Sequence, residues 1–485
     1  MHESYYWYDL ETTGTDPRWD RIIQFAGIRT DMNLSQIADP DCFYVKLPDD
    51  TLPSPEATLV TGITPAIANA EGLSEWEAVS RISNILGEPK TCVVGYNNIR
   101  FDDEFIRNTL YRLLYDPYSR EYQHANSRWD ILTLARAARA LRPDGVNWPE
   151  GADGLTTFRL EELSRENNLE HTNAHDALSD VRATISFAGL IQKTQPRLFS
   201  YFYHLRKKEN LRPLLEPFGS KMLVHIASHY SRTRHYVAPI MSIARHPTNK
   251  NSIIVVDLSK DINPLFDLSV DELKSDLYGP NTRGLALNEL RINRAPFVAE
   301  LSVLTPENWS TLQLDRKLIL ERREALLEAN LQSKLSEVFK GHEKRIESTD
   351  PDGALYEGFI SNRDRRYCDK FIEQIHTGNW IDAEFDDPRL NVLAWRIKAR
   401  NFEDILGDDE IERWRTHVGR KLSQPIAPWL TSGQFVSSWT KVRDSLKSRL
   451  GNSYQDTNEM AVLYELADYY NGVMVKYGIG DLIDH

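Results

Sequence analysis

The chain has 485 residues, a formal net charge of −13, and 41% hydrophobic residues, 10% of its residues being aromatic. That length exceeds one ordinary core and suggests about three domains, and the apolar content excludes a disordered chain. Cys42, Cys92 and Cys368 lie far apart without a C-x-x-C pair, and neither a leader-like start nor a long apolar run is present. A zinc site, a disulfide framework and a membrane protein are therefore disfavoured, and a reducing, cytoplasmic setting is expected.

The first element is an aromatic-rich strand running into Asp9, Glu11 and Gly14. Successive strand residues face opposite sides, so Asp9 and Glu11 point the same way. Two carboxylates on one face repel and are costly to bury unpaired, and a hard divalent cation resolves that cost. An isolated Asp-x-Glu is ordinarily just a pair of solvated acids. Strands are expected over 22–29 and 43–47, and a helix over 74–86, started by Ser74 and closed at Gly87. A short buried strand at 92–95 leads toward Asp102. Helices are expected over 128–141, 158–167 and 174–193, giving a mixed sheet flanked by helices.

Pro196 marks the first expected boundary. Between about residues 199 and 304 the period shortens, with strand-like runs at 223–227, 236–243, 253–258 and 297–303. A small β-rich domain fits, ending in a helix with Leu327, Leu331 and Leu335 as a core stripe. Asp350-Pro351-Asp352-Gly353 is a strong turn signal and the second boundary. Beyond it, 363–376, 391–401, 409–422, 434–450 and 458–477 read as a helical bundle with no catalytic constellation. The expected domains are thus 1–195, 196–349 and 350–485.

The net negative charge alone argues against a nucleic-acid partner. Residues 197–245 are the exception, with nine Lys/Arg against two Glu. Such a strip is either a solvated basic face or a substrate groove.

Three pieces then occur in order: Asp9-x-Glu11, the run Asn97-Asn98-Ile99-Arg100-Phe101-Asp102-Asp103-Glu104, and His175-Asp176-Ala177-Leu178-Ser179-Asp180. This set resembles the DEDDh group of 3′→5′ exonucleases, a ribonuclease-H-like fold. The phrases at 96–104, 127–130, Asn147-Trp148-Pro149-Glu150, Phe158-Arg159-Leu160-Glu161 and 173–176 look like the bacterial exodeoxyribonuclease I family. The resemblance is dense over about the first 200 residues and continuous afterwards. It implies an α/β exonuclease domain, an SH3-like barrel and a C-terminal helical domain.

By the same resemblance, Asp9, Glu11, Asp102, His175 and Asp180 are catalytic, and Asp9, Glu11, Asp180 and Asp102 hold two Mg²⁺ ions, with Mn²⁺ a possible substitute. His175 would take a proton from the attacking water, a task suited to its ordinary pKa. Glu11 would also touch the terminal nucleotide. Arg107, Tyr118, Tyr122, Arg136 and Arg159 match positions that contact single-stranded DNA or its terminal phosphate. Arg142 and Tyr201 match a site for the acidic C-terminal tail of single-stranded-DNA-binding protein. Asp103, Glu104 and Asp176 read as first-turn helix acids. A monomer is expected.

The implied activity is a single-strand-specific 3′→5′ exodeoxyribonuclease releasing 5′-mononucleotides, in DNA repair and recombination. The alternatives are a DEDDh exoribonuclease, such as an oligoribonuclease or a tRNA-trimming enzyme, and a non-catalytic nucleic-acid-binding module on a nuclease fold. The chain's extra length favours the DNA enzyme over the first, and its full catalytic set disfavours the second. The two later domains are expected to supply processivity and exclude duplex.

Overall fold

The computed structural model describes residues 2–169, 176–279, 284–341, 350–380, 384–425, 436–452, 457–480 and 483. The chain opens with β1 (Ser4–Thr12), β2 (Ile22–Thr30) and β3 (Asp41–Tyr44), then α1 (Pro55–Thr61), α2 (Pro65–Glu71) and α3 (Glu75–Gly87). Next come β4 (Thr91–Gly95), α4 (Asp102–Arg112), β5 (Ser127–Asp130), α5 (Ile131–Leu141), α6 (Leu160–Glu166) and α7 (Ala177–Thr194). One mixed sheet has the order β3-β2-β1-β4-β5, antiparallel between β1, β2 and β3 and parallel from β1 through β4 to β5.

The aromatic strand sits at the centre of this sheet and obeys its period of two. Tyr5 and Trp7 enter one core with Val94, Trp129 and residues of α5 and α7, while Tyr6, Tyr8 and Leu10 enter another with Val93 and residues of α3 and α4. Ser74 caps α3 in a reciprocal box with Glu77, as its position predicts. The helix expected over 128–141 is corrected. Residues 127–130 pair with β4 as a strand, and Asp130 then caps α5 by accepting from the Leu132 amide. Pairing with a buried parallel strand outweighs local helix propensity there.

α8 (Pro196–Leu205) packs back on the first sheet, with the Phe199 and Trp129 ring centroids 4.9 Å apart. α9 (Lys208–Leu215) leads to β6 (Met222–Ile226), β7 (Val237–Arg245) and β8 (Ser252–Asp257). After α10 (Asn263–Asp267) and α11 (Val270–Tyr278) come β9 (Leu287–Arg291) and β10 (Phe297–Glu300). The five strands form an all-antiparallel sheet, β10-β6-β7-β8-β9. The sequence reading missed β9, whose Asn288, Glu289 and Arg291 obscure the apolar signal of an edge strand.

α12 (Pro306–Thr311), α13 (Arg316–Ala329) and α14 (Gln332–Val338) close this part. The single leucine-striped helix is also corrected. Asn330 takes φ 47° and divides it; Leu335 is buried, but Leu327 is 45% exposed, and Ile319 and Leu326 carry the buried side of α13. A left-handed Asn is a common helix stop.

The last part consists of α15 (Asn362–His376), α16 (Pro388–Asn401), α17 (Asp408–Ser423), α18 (Ser438–Asn452) and α19 (Thr457–Tyr477). Leu355, Phe371, Leu390 and Leu393 share one hydrophobic core with Tyr6, Tyr8 and Phe105 of the first domain. The helical part is therefore fused to the nuclease sheet by packing. Among the described residues, no helix is long and apolar enough to cross a membrane.

Candidate active site

Asp9 and Glu11 lie on the Tyr5–Trp7 side of β1, and α7 packs over that side. Asp180 comes from the first turn of α7, whose start is set by Asp176 accepting from the Ser179 amide. One carboxylate oxygen from each of Asp9, Glu11 and Asp180 lies within 4.8 Å of the other two. A β-bulge helps aim the strand end: Glu11 faces Gln24, but Thr12 faces Ile22.

Burial makes this cluster electrostatically expensive. It pushes Asp9 well above the usual carboxylate range, and Asp102, Asp180 and Asp176 raise it further. Glu11, 8% exposed, is pushed up to about 9 by burial and then by Asp9, Asp180 and Asp176. Such a set of oxygens is suited to a hard divalent cation, which would relieve the repulsion among them.

Asp102 stands at the start of α4, after the turn that follows β4. Burial also raises its pKa, as do the charges of Asp103, Glu11 and Asp130, against a lowering by its own backbone amide. The turn is held by Asp130, which accepts from the Asn97 amide at 3.1 Å while Asn97 sits at φ 65°. Sequence reading assigned Asp130 no function, because its partner is 33 residues away. His175 lies outside the described residues.

The neighbouring acids differ from one another. Asp176 caps α7, as a first-turn acid should. Asp103 is not a dipole acid at the surface: it is fully buried and accepts from Tyr8 Oη at 2.9 Å and from Arg120 and Arg128 at 2.7 Å each. Those two arginines hold its carboxyl well below the ordinary range despite its burial. Glu104 binds Arg107 at 2.7 Å and Arg294 at 3.4 Å, and accepts from Tyr356 Oη, so it touches all three parts of the chain.

The expected substrate residues fall into two groups. Arg159 has an 80% exposed side chain, 3.8 Å from Glu162, and Tyr122 is exposed. Arg107 is instead buried, paired with Glu104 and Glu121, and lies 5.5 Å over the half-buried Tyr118 ring. Arg136 lies 4.5 Å over Tyr236 and 6.0 Å over Phe158, the residue before Arg159. Arg142 donates to the carbonyls of Leu141 and Val303, and Tyr201 to that of Val298.

The basic strip is less bare than its sequence suggests. Arg206 pairs with Glu3, Lys221 with Glu300, Arg232 with Asp153 and Arg245 with Glu216. Three of those acids come from outside residues 197–245, so a local charge count cannot register them.

Sequence profiles of three families match in succession: Exonuclease over residues 6–187, Exonuclease I SH3-like domain over 206–341, and Exonuclease I C-terminal domain over 349–473. Exodeoxyribonuclease I of Escherichia coli is 42% identical over 425 residues, covering 86% of this chain and 89% of that protein. The chain belongs to the exodeoxyribonuclease I family. As a member of that family it is a 3′→5′ exonuclease of DNA, which decides against the ribonuclease and non-catalytic alternatives. The Haemophilus influenzae exodeoxyribonuclease I is 39% identical, over 89% of this chain and 93% of that protein. The solved structure of E. coli exonuclease I in complex with a dA16 oligonucleotide matches with a TM-score of 0.90 at 38% identity, covering 97% of this chain and 100% of that one. By contrast, the oligoribonuclease of Marinobacter nauticus, 30% identical, spans only 28% of this chain and 77% of its own length.

Proposed function

We propose that this exodeoxyribonuclease removes 5′-mononucleotides one at a time from the 3′ end of single-stranded DNA, with Asp9, Glu11, Asp102, His175 and Asp180 as its catalytic residues. The observation that carries the reading is the convergence of the Asp9, Glu11 and Asp180 oxygens within 4.8 Å in a chain of this family. Asp9, Glu11 and Asp180 would hold Mg²⁺, or Mn²⁺ in its place, and Asp102 would complete the set for two ions. Ions bound there supply Lewis-acid charge to the scissile phosphate and make water a stronger nucleophile.

The chain's own residues divide the remaining work. Glu11 would also touch the 3′-hydroxyl of the terminal nucleotide, as the family resemblance implies. His175 accepts the proton of the attacking water, an imidazole being half-charged near neutral pH. Arg159, its exposed side chain only loosely paired with Glu162, can turn to meet a phosphate. Tyr122 offers an exposed ring for base stacking, and Tyr118 a ring backed by Arg107. Arg107 and Arg136 contribute by holding aromatic surfaces, since their guanidinium groups are already engaged with acids or rings.

Single-stranded DNA as substrate is supported by the oligonucleotide complex of the E. coli relative. A protein partner is supported by the solved complex of SSB and exonuclease I with the inhibitor CFAM, similar at TM-score 0.88 and 37% identity over 98% of this chain and 100% of that one. Arg142 and Tyr201 both donate to the 298–303 segment, and they form the proposed seat for that partner's acidic tail.

The test uses 3′-labelled and 5′-labelled single-stranded DNA and RNA, with Mg²⁺ or with EDTA. Immediate release of 3′ label from DNA, with a shortening 5′-labelled ladder, only in Mg²⁺, is expected. Equal turnover of RNA, or turnover in EDTA, would overturn the reading.

A further inference from the structure

The C-terminal helices carry no catalytic motif, yet they reach the strand that carries Glu11. Arg21, 2% exposed, donates through Nη2 to Asp352 at 3.3 Å, through Nη1 to Glu75 at 3.1 Å and through Nε to Thr51 at 3.4 Å. Asp352 is itself fully buried among Arg396, Arg400 and Lys421 of α16 and α17. Lys421 and Arg400 bind Asp50 of the nuclease domain as well. Cations and acids from two domains thus neutralise one another away from water, and no member moves without exposing another's unbalanced charge.

This cluster touches the active-site strand through the backbone. The Arg21 amide donates to Thr13 Oγ1, and the Thr13 amide donates to the Arg21 carbonyl, both at 2.9 Å. Thr13 lies two residues beyond Glu11, on the far side of the β-bulge. A second arm converges on the same residue. Tyr470 of α19 donates to the Pro53 carbonyl, and the next residue, Ser54, donates its amide to the Thr13 carbonyl at 2.7 Å. Both backbone polar groups of Thr13, its N–H and its carbonyl, are therefore held by residues that the helical domain grips.

We infer that the helical domain positions the metal-binding carboxylates, with Arg21 as the positioning residue, through Asp352–Arg21–Thr13 and Tyr470–Pro53–Ser54–Thr13. The inference rests on the metal reading of Asp9, Glu11 and Asp180. It gives the helical domain a part in the chemistry in addition to the processivity role expected from sequence. Outer contacts that orient ligands typically cost 10–100-fold in metal affinity when removed.

The test is Mn²⁺ binding to the full-length, metal-free protein, read by electron paramagnetic resonance below the melting temperature of each variant. Arg21→Gln should weaken Mn²⁺ binding by about 10-fold or more, Arg21→Lys less, and Tyr470→Phe by a few-fold. Arg400 and Lys421 keep Asp50 of the nuclease domain in Arg21→Gln, and the shared hydrophobic core is untouched, so domain docking survives. The Mg²⁺ concentration for half-maximal hydrolysis should rise in parallel, while kcat at saturating Mg²⁺ stays near wild type. Wild-type Mn²⁺ affinity in folded Arg21→Gln, or in Arg21→Lys and Tyr470→Phe where Arg21→Gln does not fold, would overturn the inference. Asp9→Ala separates the two failures: if it binds Mn²⁺ as tightly as wild type, the metal reading itself is wrong.

Discussion

Glu11→Gln should make the metal-free protein more stable at alkaline pH while ruining its activity. Burial and the neighbouring carboxylates raise Glu11 from 4.5 to about 9. Between those values the fold holds a proton that the unfolded chain has lost. Stability is therefore complete below the unfolded pKa and is lost as pH rises toward the folded pKa. One such proton is worth about 1.4 kcal/mol per pH unit, so Glu11 alone removes about 3 kcal/mol between about pH 6 and about pH 8. This is a ceiling, since water entering on relaxation reduces it. Asp9 and Asp102 are raised too and act in the same direction, so the quantity to read is the difference between variant and wild type. The assay is urea unfolding across that pH range in EDTA and in saturating Mg²⁺. In EDTA, wild type should lose stability relative to Glu11→Gln as pH rises. In Mg²⁺ the wild-type loss should flatten, because metal binding requires the ionised carboxylates. Equal pH slopes for the two proteins in EDTA would refute the reasoning.

Asp9→Ala or Asp180→Ala should leave a folded protein with hydrolysis nearly abolished, because each removes one member of the shared carboxylate set; ordinary turnover by folded Asp9→Ala in Mg²⁺ contradicts the assignment. His175→Ala should slow hydrolysis by about 10² or more with the Mg²⁺ titration little shifted, the pattern of a base rather than a ligand. Asp103→Asn should destabilise by about 3–5 kcal/mol in chemical denaturation, as it takes from buried Arg120 and Arg128 the carboxylate they share and leaves Glu121 to balance both; a loss under about 1 kcal/mol means that water or Glu121 compensates. Arg142→Ala should weaken binding of an acidic tail peptide in fluorescence polarisation, and equal binding removes Arg142 from the proposed seat.

Residues close in sequence determined much of this protein by themselves. Asp9 and Glu11 are linked by a strand's period of two, Asp176 and Asp180 by one turn at a helix start, and Ser74 and Glu77 by a capping box. Such patterns are short-range geometry and remain legible without a fold. The order of the three motifs then pointed to the family, and the family to three domains. The tertiary structure alone decided which charges meet. Asp103, 17 and 25 residues from Arg120 and Arg128, reads as a helix-start acid until the fold buries it between them. Arg107 and Arg136 read as free cations until Glu121 and Tyr236 arrive, and four cations of the basic strip are paired, three of them by acids outside it. Arg21 and Asp352 are 331 residues apart and carry no motif. A buried ion pair is specified by the cost of leaving either partner alone in a low-dielectric core, and that cost arises only once packing has excluded the water.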